Sequence, residues 1–178
     1  AAGITKLSFR EADGKALPFD VGRFDVAILH TVLTHVPGPE ALLAEAYRVL
    51  SPGGWLGVCE PDIASTTVAL FDGDPLQSCV ETFIANFAND PRALRRLTAL
   101  VQAVGFRAAP LRAYGLVETQ DPGLTLTWID RGADALVAVG RLSQETAAAL
   151  KAEARRRAAE GTWFGFMAYG SLTARKPG

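Results

Sequence analysis

Residues 45–58, Glu45-Ala-Tyr-Arg-Val-Leu-Ser-Pro-Gly-Gly-Trp-Leu-Gly-Val, constrain the fold more than any other stretch of the chain. Ser51-Pro52-Gly53-Gly54 stops a helix, because proline has no backbone N–H to donate and glycine disfavours a helix interior. Before the stop, Leu42, Leu43, Ala46, Val49 and Leu50 recur at helical spacing over Glu40–Leu50, and Pro39 suits the first helical turn. After it, Trp55-Leu-Gly-Val-Cys59 is a strand-like apolar run. A second such run, Phe24-Asp-Val-Ala-Ile-Leu29, lies upstream, and Pro37-Gly38-Pro39 separates it from the helix. Continuous apolar runs of this kind suit strands covered on both faces. Strand, helix and strand in this order predict a parallel β/α unit and an α/β sheet.

The rest of the chain extends the pattern. Leu7–Ala12 alternates and predicts a short strand, ended by Asp13-Gly14. Asp90-Pro91 opens a helix whose apolar face is Leu94, Leu97, Leu100, Val101 and Val104, with Gly105 as its C-cap glycine. Phe106–Val117 predicts a strand. Residues 124–160 read as helical, with a break near Gly140 and a fresh start at Ser143, an N-cap with Thr146 three residues on. Phe164–Arg175 predicts a final strand with Phe166, Leu172 and Ala174 on one face. No internal repeat or low-complexity segment interrupts this order.

Composition narrows the function. At 178 residues, with 49% hydrophobic and 21% charged residues, the chain is one ordinary globular domain in size. A net charge of −1 argues against a nucleic-acid partner held by phosphate contacts. Arg155-Arg156-Arg157, flanked by Glu153 and Glu160, reads as a solvated helix face. No apolar run approaches the roughly 20 residues a membrane span needs, so no membrane partner is expected. Two cysteines, Cys59 and Cys79, and two histidines make no zinc site, so no metal is expected, and a reducing, cytoplasmic location is the default. The chain opens Ala1-Ala2-Gly3; loss of an initiator Met and truncation of a longer domain both account for that.

In an open parallel sheet, ligands sit beyond the carboxyl ends of the strands. Three polar clusters occupy such positions: Asp13-Gly14, His30-Thr31 and Glu60-Pro61-Asp62. Each also has a plain structural reading. Asp13 before glycine fits an Asx turn. His35 fits a packed, hydrogen-bonded histidine, and Glu60 with Asp62 fits a polar strand end. Phe71, Phe83, Phe87, Trp128 and Trp163 fit either core positions or pocket walls.

Arg48-Val-Leu-Ser-Pro-Gly-Gly54 resembles the R-V-L-K-P-G-G turn of class I S-adenosylmethionine-dependent methyltransferases. Asp13-Gly-Lys-Ala-Leu-Pro-Phe-Asp-Val-Gly-Arg-Phe-Asp-Val-Ala27 resembles that family's D-A-x-x-L-P-F-x-D-x-x-F-D-V-V, and Leu33-Thr34-His35-Val36 its L-x-H-V. The resemblance implies a Rossmann-like α/β fold, a mostly parallel sheet with flanking helices, in one domain over 1–178. Residues 1–62 and 90–117 would form the core, 63–89 and 118–162 a substrate-side cap, and 163–178 the final strand. It implies S-adenosylmethionine as cofactor and a small-molecule methyl acceptor. Asp13 and the Gly14 N–H would take the adenine edge, and His30 and Thr31 would line the cofactor cleft. His30 and His35 are the candidate general bases, and Glu60, Asp62 and Trp128 the candidate substrate contacts. A positioned, activated methyl group needs no fixed triad.

The same resemblance exposes a gap. The family's glycine-rich cofactor loop precedes both motifs, within N-terminal β/α units that are missing here. At roughly 30 residues per β-α-β unit, the residues before Leu7 cannot hold them. Three arrangements resolve this, ranked in order: a longer protein, a partner copy that completes the sheet as a homodimer, or a rearranged strand order. Two other functions remain open, a non-catalytic methyltransferase-like binding module and a Rossmann-type nucleotide binder of another class.

Overall fold

The structure, a computed structural model, describes residues 7–120 and 122–178. Strand β1 (Phe24–His30) leads through a 3₁₀ turn (Leu33–His35) to helix α1 (Pro39–Val49) and the long strand β2 (Leu50–Thr67). Helices α2 (Pro75–Phe87) and α3 (Ala93–Ala103) follow, then β3 (Arg107–Ala108), β4 (Arg112–Glu118), α4 (Gly123–Ala138), α5 (Gln144–Ala159) and β5 (Gly165–Arg175). The sheet runs β1-β2-β5-β3, with β4 also on β5.

The α/β class and the flanking helices are as expected, but the strand directions are not mostly parallel. Only β1 and β2 pair in parallel; β2/β5, β3/β5 and β4/β5 are antiparallel. Parallel neighbours need a crossover, whereas β5 arrives from the far side of the helical segment and enters against β2.

Pro52-Gly53-Gly54 does not precede β2 but lies inside it. Phe24 pairs with Leu50 and Val26 with Trp55, so the extra residues form a bulge. Gly53 has φ 78°, open only to glycine at low cost. A Cβ on Gly54 would stand 2.9 Å from the Ser51 carbonyl oxygen and 3.1 Å from that of Asp25. Below the bulge, the Lys176 ammonium donates to the carbonyls of Tyr47 and Leu50, each at 2.7 Å, and satisfies the end of α1.

Leu7–Ala12 is not a strand. No described strand lies beside it, and Phe9 is 90% exposed. The predicted strand Phe106–Val117 divides around Pro110 into β3 and β4. Gly140, at φ 72°, separates α4 from α5, and the Ser143 hydroxyl caps α5 by accepting from the Thr146 N–H at 3.0 Å. Helix α2 went unpredicted, although Asp74-Pro75 is an N-cap and N1 pair and Leu76, Cys79, Val80 and Phe83 follow at helical spacing.

Apolar residues gather in two clusters. The first packs α1 and α3 on one sheet face, through Leu43, Leu97, Val101, Leu56, Val58 and Leu172. The second joins α2, α4 and α5 to the ends of β2 and β5, through Val80, Phe83, Ile129, Ala154, Trp163 and Met167. No helix among the described residues is long and apolar enough to cross a membrane.

One ion pair ties the second cluster together. Arg157 Nη1 of α5 donates to Asp74 Oδ2 at 2.5 Å, and both side chains are buried. Burial pushes the Asp74 carboxyl up, but the Arg157 guanidinium and the Leu70 and Leu76 N–H groups outweigh it and hold it below its usual value. Removing the cation strands a buried carboxylate, so Arg157→Met is expected to cost about 3–5 kcal/mol in urea unfolding. Asp74 titrates lower in the fold than in the unfolded chain. The wild-type advantage is therefore full above about pH 4 and fades as pH falls through the depressed value.

Candidate functional site

Alternation along the strands sorts the three polar clusters. Even-numbered β2 residues, Leu56, Val58, Glu60 and Asp62, face α1 and α3; odd-numbered Trp55, Gly57 and Cys59 face the other way. Parallel pairing of His30 with Cys59 puts His30 on the second face, along with Val26 and Ile28. That face is largely uncovered: Ile28 is 73% exposed and Trp55 48%, with Arg175 stacked over the indole. The apolar run of β1 is thus covered on one face, not both as its composition predicts.

Glu60, expected at the substrate, is fully buried. Its Oε1 accepts from the N–H of Val32 at 2.7 Å and of Leu33 at 2.9 Å. Its Oε2 accepts from the Thr34 hydroxyl at 3.1 Å and the Thr34 N–H at 3.5 Å. A buried carboxylate requires such donors. Here they belong to the loop leaving β1 and engage both carboxylate oxygens. Asp62 turns to the same face, where Oδ2 accepts from Arg95 Nε at 2.9 Å and Oδ1 is buried with no partner among the described residues. Trp128 is buried in the second cluster, at the end of an aromatic ladder: His35 meets Phe87 at 5.0 Å, Phe87 meets Phe83 at 4.9 Å and Phe83 meets Trp128 at 5.2 Å. His35 thus packs edge-on against α2, and its carbonyl accepts from Asn89 Nδ2 at 2.6 Å.

His30 and Thr31 remain at the mouth of the strand ends. Thr31 is the one non-glycine residue with positive φ (55°) among those described, an outlier for a β-branched residue that costs about 1–3 kcal/mol. Its N–H donates to the Cys59 carbonyl at 2.9 Å, and its hydroxyl lies 3.1 Å from His30 Nδ1. Burial first, then the neighbouring Cys59, push the Tyr169 phenol above its usual value, against a smaller opposing effect of Thr31. Tyr169 stacks on Tyr114 with centroids 5.8 Å apart, and the Tyr114 hydroxyl lies 2.9 Å from Cys59 Sγ. Neither tyrosine stood out in the sequence. Only the β4/β5 register, which places Tyr114 opposite Tyr169, brings them together. Among the described residues, no group of three or more His, Cys, Asp or Glu side chains suits a metal ion.

Asp13 forms the Asx turn: its Oδ1 accepts from the Lys15 N–H at 2.9 Å, and its carbonyl from the Ala16 N–H at 3.0 Å. Gly14 packs on α1, where a Cβ would stand 2.9 Å from Leu42 Cδ1, the movable end of that side chain. A two-residue clamp holds the segment that follows. The Glu45 carboxylate accepts from the Leu17 N–H at 2.8 Å and pairs with Arg48 Nε at 2.7 Å. Arg48 donates in turn to the carbonyls of Phe19 at 2.8 Å and Leu17 at 3.0 Å. Their i, i+3 spacing on a helix was the available signal. Between this segment and β1 runs an apolar groove of about 380 Å³, lined by Gly14, Phe19, Val26, Ile28, Val32 and Leu42. A more polar hollow of about 690 Å³ near Arg10, Arg23 and Arg48 lies at the amino end of β1, away from the strand-end loops.

Two titrations check this geometry. The hydrogen bond to Cys59, then burial and the thiolate's charge, push Tyr114 up to about 12. Ultraviolet titration of Cys59→Ala should bring Tyr114 back toward the ordinary value of about 10. The Arg48 and Leu17 bonds hold the Glu45 carboxyl at about 2. Protection of the Leu17 amide from exchange should therefore persist from neutral pH through the usual glutamate range and fail only as pH nears the depressed value. Glu45→Ala should lose it at every pH.

Residues 1–58 match the family model of the methyltransferase domain. An uncharacterised methyltransferase of Schizosaccharomyces pombe is 40% identical over 65 residues, 36% of this chain and 23% of that protein. A ubiquinone/menaquinone biosynthesis C-methyltransferase of Rhizobium johnstonii is 46% identical over 54 residues, 30% of this chain and 21% of that protein. The matched part thus spans less than a quarter of these relatives. In solved structures, a Bacillus halodurans protein described as a methyltransferase superposes with TM-score 0.63 at 18% identity, over 99% of this chain and 74% of that one. The YcgJ protein of Bacillus subtilis gives 0.56 at 15%, over 96% and 71%. These two likenesses are of fold alone, and the match to the methyltransferase domain is confined to the first third of the chain.

Proposed function

We propose that this chain, a class I methyltransferase in fold and in residues 1–58, is the C-terminal part of a catalytic domain that methylates a small molecule with S-adenosylmethionine. The observation that carries the reading is the state of β1. It is a parallel strand with a bare edge, a bare outer face and an apolar groove alongside it. Parallel strands are normally buried on both faces, and exposed apolar edges are unfavourable. Further β/α units laid into that groove would cover the edge and face. They would also bring a glycine-rich loop between the two segments that flank it, Asp13-Gly14 and His30-Thr31.

The residues fit the cofactor's chemistry. Asp13 is exposed, and the Asx turn engages only its Oδ1 among the described residues, which leaves Oδ2 to accept from an exocyclic amine. The Gly14 N–H can donate to a ring nitrogen. When bound, S-adenosylmethionine supplies a methyl group already activated on a sulfonium. The chain's own work is then to hold the acceptor, exclude water and move one proton. His30, exposed at the strand ends, takes that proton in this reading. His35, Glu60, Asp62 and Trp128 are engaged elsewhere in the fold. Residues 63–89 and 118–162, built around α2, α4 and α5, form the acceptor-side cap in this reading.

Calorimetric titration of the 178-residue chain with S-adenosylhomocysteine tests it. The folded chain alone should not bind, and a polypeptide carrying the missing β/α units, joined or added in trans, should restore one-to-one binding. Failure of restoration would favour a non-catalytic module. In the restored protein, Asp13→Ala should raise Kd at least about tenfold, the loss of a charge-assisted hydrogen bond, while Asp62→Ala should leave it within about twofold. Equal losses would overturn the adenine assignment.

A further inference from the structure

Strand β4 lies on the edge of the sheet opposite β1, and neither of its faces is covered. It pairs with β5 on one side and, among the described residues, with no strand on the other. Antiparallel strands commonly bury one of their two alternating sets of side chains. In β4, Arg112, Ala113, Tyr114, Gly115, Leu116 and Val117 are all exposed, Val117 at 52% and Tyr114 at 50%. Natural edge strands usually carry a lysine, a proline or an inward charge that discourages pairing with another chain. Arg112-Ala-Tyr-Gly-Leu-Val-Glu118 has no lysine and no proline, and its charges stand at its two ends, with opposite signs.

That order of charges is self-complementary. A second copy can add its β4 antiparallel to the first, about a two-fold axis normal to the sheet, which keeps every side chain on its own face. Alternation then lets the axis pass only between a residue and its own copy. With the axis at Gly115, the centre of the seven-residue strand, every residue of β4 finds a partner. Arg112 lies opposite the partner's Glu118, Ala113 opposite the partner's Val117 and Tyr114 opposite the partner's Leu116. The two-fold repeats each pair, so both ends of the interface carry an ion pair. An axis at Tyr114 would set Arg112 against the partner's Leu116, and an axis at Leu116 would set Glu118 against the partner's Tyr114. Neither forms an ion pair within the strand.

The side chains present suit the Gly115 register. A Cβ on Gly115 would stand 2.6 Å from the Phe166 ring, so that ring lies across the glycine. An aromatic ring over an edge glycine fills the gap left by the missing side chain. Glu118 gives Oε2 to the Thr125 N–H and hydroxyl, and its Oε1 has no partner among the described residues. Tyr114 is already held by its stack on Tyr169 and its contact with Cys59, which lowers the cost of ordering it at an interface.

We propose that β4 is a homodimer interface, at which two copies of this chain join edge to edge about Gly115 into one continuous sheet. The surface lies on the far side of the sheet from β1, so it is independent of what covers β1 and of cofactor binding.

Sedimentation equilibrium of the 178-residue chain and its charge-swapped variants tests the interface. The wild type should pass from monomer to dimer as concentration rises. Arg112→Glu sets like charges opposite each other at both ends and should raise the dimer Kd at least about tenfold, as should Glu118→Arg. An equimolar mixture of the two variants should regain the wild-type Kd within about threefold, because the mixed dimer has an opposite-charge pair at each end. Circular dichroism reports whether each variant is folded. Val117→Lys leaves both ion pairs and the Thr125 bonds in place and should also weaken the dimer, which keeps the test decisive if Glu118→Arg does not fold. A wild type that stays monomeric up to about 1 mM would overturn the proposal. So would a dimer that Arg112→Glu and Val117→Lys leave at the wild-type Kd, as pairing through the β1 edge would, or folded swap variants that fail to recombine.

Discussion

Two-residue alternation along β2 is the constraint on which the rest of the structure depends. It divides the strand into a side that packs on helices and a side that does not, and the candidate side chains of β1 and β2 fall on one or the other. Glu60 and Asp62, two residues apart, share the packed side with Leu56 and Val58. Cys59, between Val58 and Glu60, shares the outer side with His30, Ser171 and Tyr114. A one-residue slip of β1 against β2 would reverse this sorting, burying His30 and exposing Ala27 and Leu29. The bulge at Ser51–Gly54 absorbs the extra residues before the register of Val26 with Trp55 begins, so it sets that sorting.

Burial then decides what a carboxylate can do. Glu60 is charged-type chemistry inside a wall, and it stays there because four donors reach it. Those donors are consecutive in the chain and leave β1 at the point where ligands gather in α/β sheets. Stability and site geometry are thus the same set of bonds: loosening the wall loosens the loop. The strained backbone at Thr31 is tolerated because its neighbours on both sides are fixed. On the opposite side of the groove, the Glu45–Arg48 pair does the same for Leu17–Phe19, so both flanking segments hang from regular elements rather than from each other.

The second apolar cluster is organised differently. Helices α2, α4 and α5 surround the far ends of β2 and β5, and their contact is close: a Cβ at Gly132 would stand 1.8 Å from the Cys79 carbonyl oxygen. The buried Asp74–Arg157 pair joins two segments 83 residues apart in sequence and also caps α2. The aromatic ladder from His35 to Trp128 connects this cluster to the loop leaving β1.

Local chemistry determined a good deal without tertiary help. The helix over Glu40–Leu50, the glycine break at Gly140, the Ser143 cap and the shared face of Phe166, Leu172 and Ala174 follow from period, caps and turn residues, which act within a few residues of themselves. So do the Asp13 turn and the motifs around Pro52-Gly53-Gly54 that lie within the stretch matching the methyltransferase domain. Strand direction does not follow from such signals, because β5 reads the same whether it enters parallel or antiparallel. Nor does the existence of a strand at Leu7–Ala12, since a strand is made by its neighbours and alternation alone supplies none. The site was half legible for the same reason. Sequence placed Asp13, His30, Glu60 and Asp62 at strand ends, but which face each one takes is a matter of register between strands about thirty residues apart. Only the folded sheet could turn Glu60 inward and set Tyr114 and Tyr169 beside Cys59 and Thr31, because those contacts are made between strands and not along them.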